Sequence, residues 1–171
     1  MKHKFSFLLF VILLPLLLAA CKSVDPQPLT QEQLDAINCQ TGDLPRKQTY
    51  IALDPRAIPL TNFLGQDPVL TSTRTWNDIS STHQSFSCTI LVFSNVEAAR
   101  QAYQLACNFF KPPFKFPNFG DLACQAGNQE VNLVYQRENY VVWIWADYEG
   151  VGIKDIAGNL DERLILPVVL P

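Results

Sequence analysis

The sequence predicts an α+β fold, a mainly antiparallel twisted sheet with helices packed on it, forming a single domain behind a lipoprotein-type signal peptide. Three features carry that reading. Runs with strand alternation occupy the middle of the chain. Amphipathic helical patterns stand near its start, its middle and its end. The resulting order is helix, two strands, strand, helix, strand hairpin, helix, a sequence of elements that belongs to the α+β class.

In chain order, residues 1–20 read as a signal peptide. Met1-Lys2-His3-Lys4 is a basic start, Phe5 to Leu17 an apolar run, and Leu18-Ala19-Ala20 a small-residue cleavage site. The apolar run is short for a membrane core about 30 Å thick, which argues against a permanent span. Leu18-Ala19-Ala20-Cys21 resembles a bacterial lipobox, in which the cysteine receives diacylglycerol and palmitate-type acyl chains after cleavage beside it. Each buried methylene of such chains contributes about 0.8 kcal/mol to membrane retention, so an acylated Cys21 is a firm anchor. Residues 21–29, with two prolines in KSVDPQPL, read as a lipidated tether.

The domain, residues 30–171, opens on Thr30-Gln31-Glu32-Gln33, which has capping-box spacing. A short helix to about Asn38 follows, showing Leu34 and Ile37 to the core. Lys47 to Leu53 and Val69 to Trp76 are strands, separated by a proline-punctuated connection. In the second, Thr71, Thr73 and Thr75 share one face and Leu70 and Trp76 the other. Ser85 to Phe93 is a strand with Phe86, Cys88, Ile90 and Val92 on one face, and Ser87, Thr89, Leu91 and Phe93 on the other. Ser94 or Asn95 caps a helix from Val96 to about Phe110, whose apolar stripe is Val96, Ala99, Tyr103, Ala106 and Phe110. Pro112 and Pro113 end it, and Gly120 permits a turn. Glu130 to Gln136 and Tyr140 to Asp147 form a hairpin around Arg137-Glu138-Asn139. Its second strand, YVVWIWAD, is apolar on both faces and so belongs in the sheet centre, covered on both sides. Ile153, Ile156, Leu160 and Leu164 are spaced for a closing helix.

Cleavage before Cys21 leaves about 150 of the 171 residues, enough for one core. It removes two of the 13 basic residues and none of the 16 acidic ones, moving the net charge from −3 to −5. That balance excludes a nucleic-acid partner, whose phosphates need a basic face. Cys39, Cys88, Cys107 and Cys124 remain, an even number that reads as two disulfides in an exported protein. Cys107–Cys124 with Cys39–Cys88 is the favoured pairing. A rival, Cys88–Cys107, follows from the level at which strand and helix rise would place the two residues. No CxxC pair exists and His83 is the only histidine after the leader, so no metal centre is expected.

The run SCTILVFSNVEAARQAY, with Phe119-Gly120-Asp121 before LVYQRENYVVWIWAD and the closing IAGNLDERL, resembles small extracytoplasmic bacterial lipoproteins of unassigned function with a PsbP-like α+β layout. The likeness covers roughly Leu44 to Leu166. It implies a non-enzymatic domain presented outside a membrane, alone or docked to a larger complex. It carries over no functional residue, and the aromatic, proline-rich insert departs from the polar linkers of that layout.

No catalytic constellation stands out. His83 sits in a polar segment with no GxSxG for a serine triad. The carboxylate couples Asp147/Glu149 and Asp161/Glu162 read as solvated charge at a strand end and on a helix's polar side. No phosphate-binding glycine loop and no cofactor fingerprint is present. Two candidate contact sites remain. Phe114, Lys115, Phe116 and Phe119 lie in the insert and would dock a partner if they form an exposed patch. Trp143 and Trp145 share one strand face, which would be a groove for an apolar ligand if open, and core if a helix covers it. The expected function is therefore a lipid-anchored, non-enzymatic accessory subunit on the outer face of a membrane, docked to a membrane protein complex or envelope assembly. The alternative is a binding module for a small apolar ligand or envelope component.

Overall fold

The computed structural model describes residues 28–44, 50–53, 65–79, 84–110, 113–115, 119–126, 132–147 and 152–165. Cys21, the leader, most of the tether, His83 and Phe116 lie outside the described residues, as do the side chains of Phe114 and Lys115.

Helix α1 (Gln31–Ile37) starts on a complete capping box. Thr30 Oγ1 accepts from the Gln33 N–H at 3.2 Å, and Gln33 Oε1 accepts from the Thr30 N–H at 2.8 Å. Two orphan donors of the first turn are thereby satisfied. Leu34 and Ile37 are buried, as their spacing requires. Leu29, read as the end of the tether, packs against the same core. A short 3₁₀ turn follows at Thr41–Asp43.

Seven strands are described: β1 (Tyr50–Leu53), β2 (Leu70–Asp78), β3 (Gln84–Val92), β4 (Pro113–Lys115), β5 (Leu122–Ala126), β6 (Asn132–Arg137) and β7 (Tyr140–Ala146). They form one sheet in the order β1-β2-β3-β7-β6-β5-β4, and every neighbouring pair is antiparallel. The two-sided apolar strand β7 is fourth of the seven, at the centre where its composition belongs. Helix α2 (Val96–Asn108) enters after β3, capped by the Asn95 side chain on the Ala98 N–H at 2.9 Å. Helix α3 (Ile153–Ile165) closes the described chain.

The pleat of β3 divides the core in two. Phe86, Cys88, Ile90 and Val92 join Leu34, Ile37, Ile153, Ile156 and Leu160, placing α1 and α3 on one face. Leu91 and Phe93 join Ala99, Ala102, Tyr103, Ala106 and Phe110, placing α2 on the other. The stripe predicted for α2 holds except at Val96, which is 45% exposed. Val96 is the first helical residue, and a helical side chain covers the surface N-terminal to its own Cα, so it projects past the end of the packed stripe.

The disulfides are Cys39–Cys88 and Cys107–Cys124, with Cα atoms 6.1 and 6.0 Å apart. Each joins one helical layer to the sheet face beneath it. The Cys88–Cys107 rival fails because Cys88 belongs to the α1/α3 face while α2 covers the opposite one. Equal level along the elements is no use when the sheet lies between them. The aromatic insert is also more than a connection. Pro113–Lys115 pairs with Gln125 and its neighbours in β5, so the segment between α2 and β6 adds two strands to the sheet edge.

Candidate functional site

The aromatic candidates turn out to be differently employed. Trp143 is half-buried, and Phe110, two residues past the end of α2, meets its ring edge-on at a centroid distance of 5.9 Å. Its indole N–H donates to Asn132 Oδ1 at 3.1 Å. Trp145, two residues on along the same face, is also half-buried. Its cross-strand neighbours are Ser87 and Asn132. Phe119 is half-buried against Tyr135, with ring centroids 6.4 Å apart, and a Cβ added at Gly158 of α3 would lie 3.7 Å from it. Phe119 is thus a wedge between β6 and α3 rather than a projecting contact residue. Missed at the sequence level is Phe109, 54% exposed just past α2, which the proline-bounded helix end carries outward.

A second site lies at the edge of β2. The β1–β2 ladder runs only from Tyr50↔Asp78 to Leu53↔Thr75. Beyond it, no described strand pairs with the first half of β2 on that side. A cleft of about 450 Å³ occupies the space, bounded by Ala52 at the end of β1, Gln31 and Asp35 on α1, and Thr41 of the 3₁₀ turn. Its floor is Thr71 through Trp76. Gln31 Nε2 donates to the Thr71 carbonyl at 3.0 Å across this edge.

Arg74 reaches from the floor towards the end of α1. Its Nη1 donates to Gln40 Oε1 at 2.9 Å and its Nη2 to the Asp35 carbonyl at 3.0 Å. Carbonyls at a helix C-terminus are a favourable seat for a cation. Arg100, Arg137 and Arg163 each meet a carboxylate. Among the described arginines, Arg74 alone meets no carboxylate of a described residue.

No family model, curated protein or solved structure matches the chain.

The charged groups facing α3 act as fastenings. Asp161 is 8% exposed, not solvated as its helical pattern suggested, because its position on α3 faces β6 and Arg137 supplies the counter-charge there. Arg137 forks onto it, with Nε 3.0 Å from Oδ1, and the Gly120 N–H donates to Oδ2 at 3.1 Å. Asp121 Oδ2 accepts from the Glu138 N–H at 2.7 Å. Arg163 forks onto Asp43 at 3.0 and 2.7 Å and donates to the Ile37 carbonyl, tying α3 to the end of α1. Burial pushes the Asp43 carboxyl up, but the Arg163 fork and the Gln40 N–H outweigh it and hold the group below the ordinary carboxylate range. Burial, and then the charge of Asp161, push the Tyr135 phenol well above its usual value, so it stays neutral. Asp147, of the other couple, is exposed and accepts from the Ser85 N–H at 2.8 Å; its companion Glu149 lies outside the described residues. Among the described residues, no three His, Cys, Asp or Glu groups converge on a metal position, and no helix is long and apolar enough to cross a membrane.

Proposed function

We propose that the chain is a lipid-anchored, non-enzymatic accessory subunit, held at the outer face of a membrane by acylated Cys21 and docked to a membrane protein complex or envelope assembly. The observation that carries the reading is the pair of internal disulfides, Cys39–Cys88 and Cys107–Cys124, in a chain whose sequence has the lipobox-like Leu18-Ala19-Ala20-Cys21 directly after an apolar run. Such disulfides fit an oxidising, non-cytoplasmic compartment. The engagement of Asp161, Asp43 and Asp147 in fold-holding contacts supports a structural use of these carboxylates. The resemblance of the sequence to PsbP-like lipoproteins, carried by its motifs alone, would fit presentation beside a larger complex. The aromatic-groove alternative has less support, since Trp143 is occupied by Phe110 and Asn132.

The test is native-gel migration of the tagged chain from gently solubilised membranes. Migration within a large complex is the expected result. A lone species that takes up hydrophobic dye or native lipid favours the ligand-binding alternative, and a lone ligand-free species contradicts both.

A further inference from the structure

The hydrogen-bond phase of the sheet shows which backbone groups face the cleft. Phe93 N–H donates to the Asn139 carbonyl and Asp147 N–H to the Ser85 carbonyl, so the odd-numbered residues of β3 point to β7. Even-numbered residues of β3 therefore point to β2, where their partners are also even: Val92↔Leu70, Ile90↔Ser72, Cys88↔Arg74. That leaves the N–H and C=O groups of Thr71, Thr73, Thr75 and Asn77 for the other edge. β1 takes the last two, through Leu53↔Thr75 and Ile51↔Asn77. Gln31 takes the Thr71 carbonyl. The Thr73 N–H and C=O and the Thr71 N–H face the cleft.

Chain chemistry explains why the ladder stops. Continuing the β1–β2 register past Leu53↔Thr75 would bring Pro55 opposite Thr73. Proline has no N–H to give to the Thr73 carbonyl and ends a ladder where it falls. A half-edge that no described strand pairs with, beside a cleft of about 450 Å³, is a template for one kind of occupant, an extended polypeptide that completes the ladder. Arg74, without a carboxylate among the described residues and with N–H groups beyond those given to Cys39, Gln40 and Asp35, adds a charge preference.

We propose that β2 receives an extended segment of a partner polypeptide by strand addition at Thr71–Thr73, with a carboxylate side chain of that segment meeting Arg74. The proposal stands on the sheet geometry and does not require that the chain be lipid-anchored, so it can fail while the accessory-subunit reading survives, and the reverse.

The experiment uses the full chain carrying Cys21→Ser, exported so that both disulfides form. Amide hydrogen exchange is read first on the free protein. Thr73 N–H is expected to exchange at least about 100-fold faster than the amides of Ser72 and Arg74, which pair with β3. The probe is then a synthetic, end-capped hexapeptide alternating valine and threonine with one central glutamate. It is expected to slow Thr73 exchange at least about tenfold and to shift the amide resonances of Thr71 and Thr73. The same peptide N-methylated at alternate residues should do neither. Arg74→Gln should weaken binding of the parent peptide about tenfold, the scale of one charge-assisted hydrogen bond. Thr73 protected in the free protein to the level of its neighbours overturns the proposal, because the edge is then already paired. Absence of shifts with the peptide at millimolar concentration overturns it too. So does equal binding of the methylated peptide, or acetate or phosphate alone reproducing the shifts, which would make the cleft a small-anion site.

Discussion

Glu138 sits at the tip of the β6–β7 hairpin with φ 48°, in the left-handed region that costs a residue with a Cβ about 1 kcal/mol or more. Its contribution there is a backbone one, the N–H given to Asp121 and the carbonyl that accepts from Gln136. Relief of that strain, about 1–2 kcal/mol, exceeds the unfolded-chain entropy that glycine adds, about 0.4–1 kcal/mol, so Glu138→Gly is expected to stabilise slightly, read as a small rise in Tm. Gly120 is the opposite case. At φ 55° its missing Cβ would lie 2.2 Å from the Gln136 carbonyl oxygen, a backbone atom that cannot step aside. Gly120→Ala should cost about 2–4 kcal/mol by denaturant unfolding, because the shifted backbone also pulls the residue-120 N–H away from Asp161. The need for a glycine before the next strand was legible in Phe119-Gly120-Asp121, whereas the fate of Asp161 was not. A carboxylate two turns into a helix looks solvated until the tertiary fold sets Arg137 opposite, 24 residues earlier in the chain. The same reason hid the role of Phe119, whose partners come from β6 and α3.

At the scale of elements, local chemistry reached furthest where a pattern is self-sufficient. The Thr30 capping box, the two-faced alternation of Ser85 to Phe93 and the Ala99–Phe110 stripe all reappear in the fold. β4 and β5 were not found, because three and five residues are too few for a period to show and the prolines and phenylalanines masked it. Only pairing with the longer β6 makes them strands. The half of the β2 edge left unpaired by the described strands was likewise invisible, since it depends on where β1 stops. Helix α3 is fastened to α1 and the 3₁₀ turn by the Arg163–Asp43 fork, which gives a pH signature. Asp43 has a lowered folded-state pKa, so its stabilisation is complete above about pH 5 and is lost as pH falls through the folded value. Asp43→Asn should lower the midpoint of urea unfolding at pH 7. The gap between variant and parent should narrow as the titration goes below pH 4; a gap that stays constant would dissociate Asp43 from the acid response.

For the whole molecule, the organising fact is a sheet covered on both faces, with one disulfide bolting a helical layer to each. On the chain-entropy model the loops, with separations of 17 and 49 residues, stabilise by about 3 and about 4 kcal/mol. For a domain whose net stability is about 5–15 kcal/mol, reduction of both should unfold the protein or lower its Tm by more than about 10 °C, followed by circular dichroism with and without reductant. The pairing was legible as a preference, and the side of the sheet on which each cysteine falls decides it. Export is the central claim: a chain cleaved before Cys21, acylated there, and oxidised to these two pairs. Mass spectrometry of the protein purified from membranes, digested without reduction, tests that most directly. It should give an N-terminal peptide starting at Cys21 and heavier by its acyl chains, together with Cys39–Cys88 and Cys107–Cys124 linked peptides. An uncleaved or unmodified Cys21, or free thiols at the other four cysteines, would contradict it.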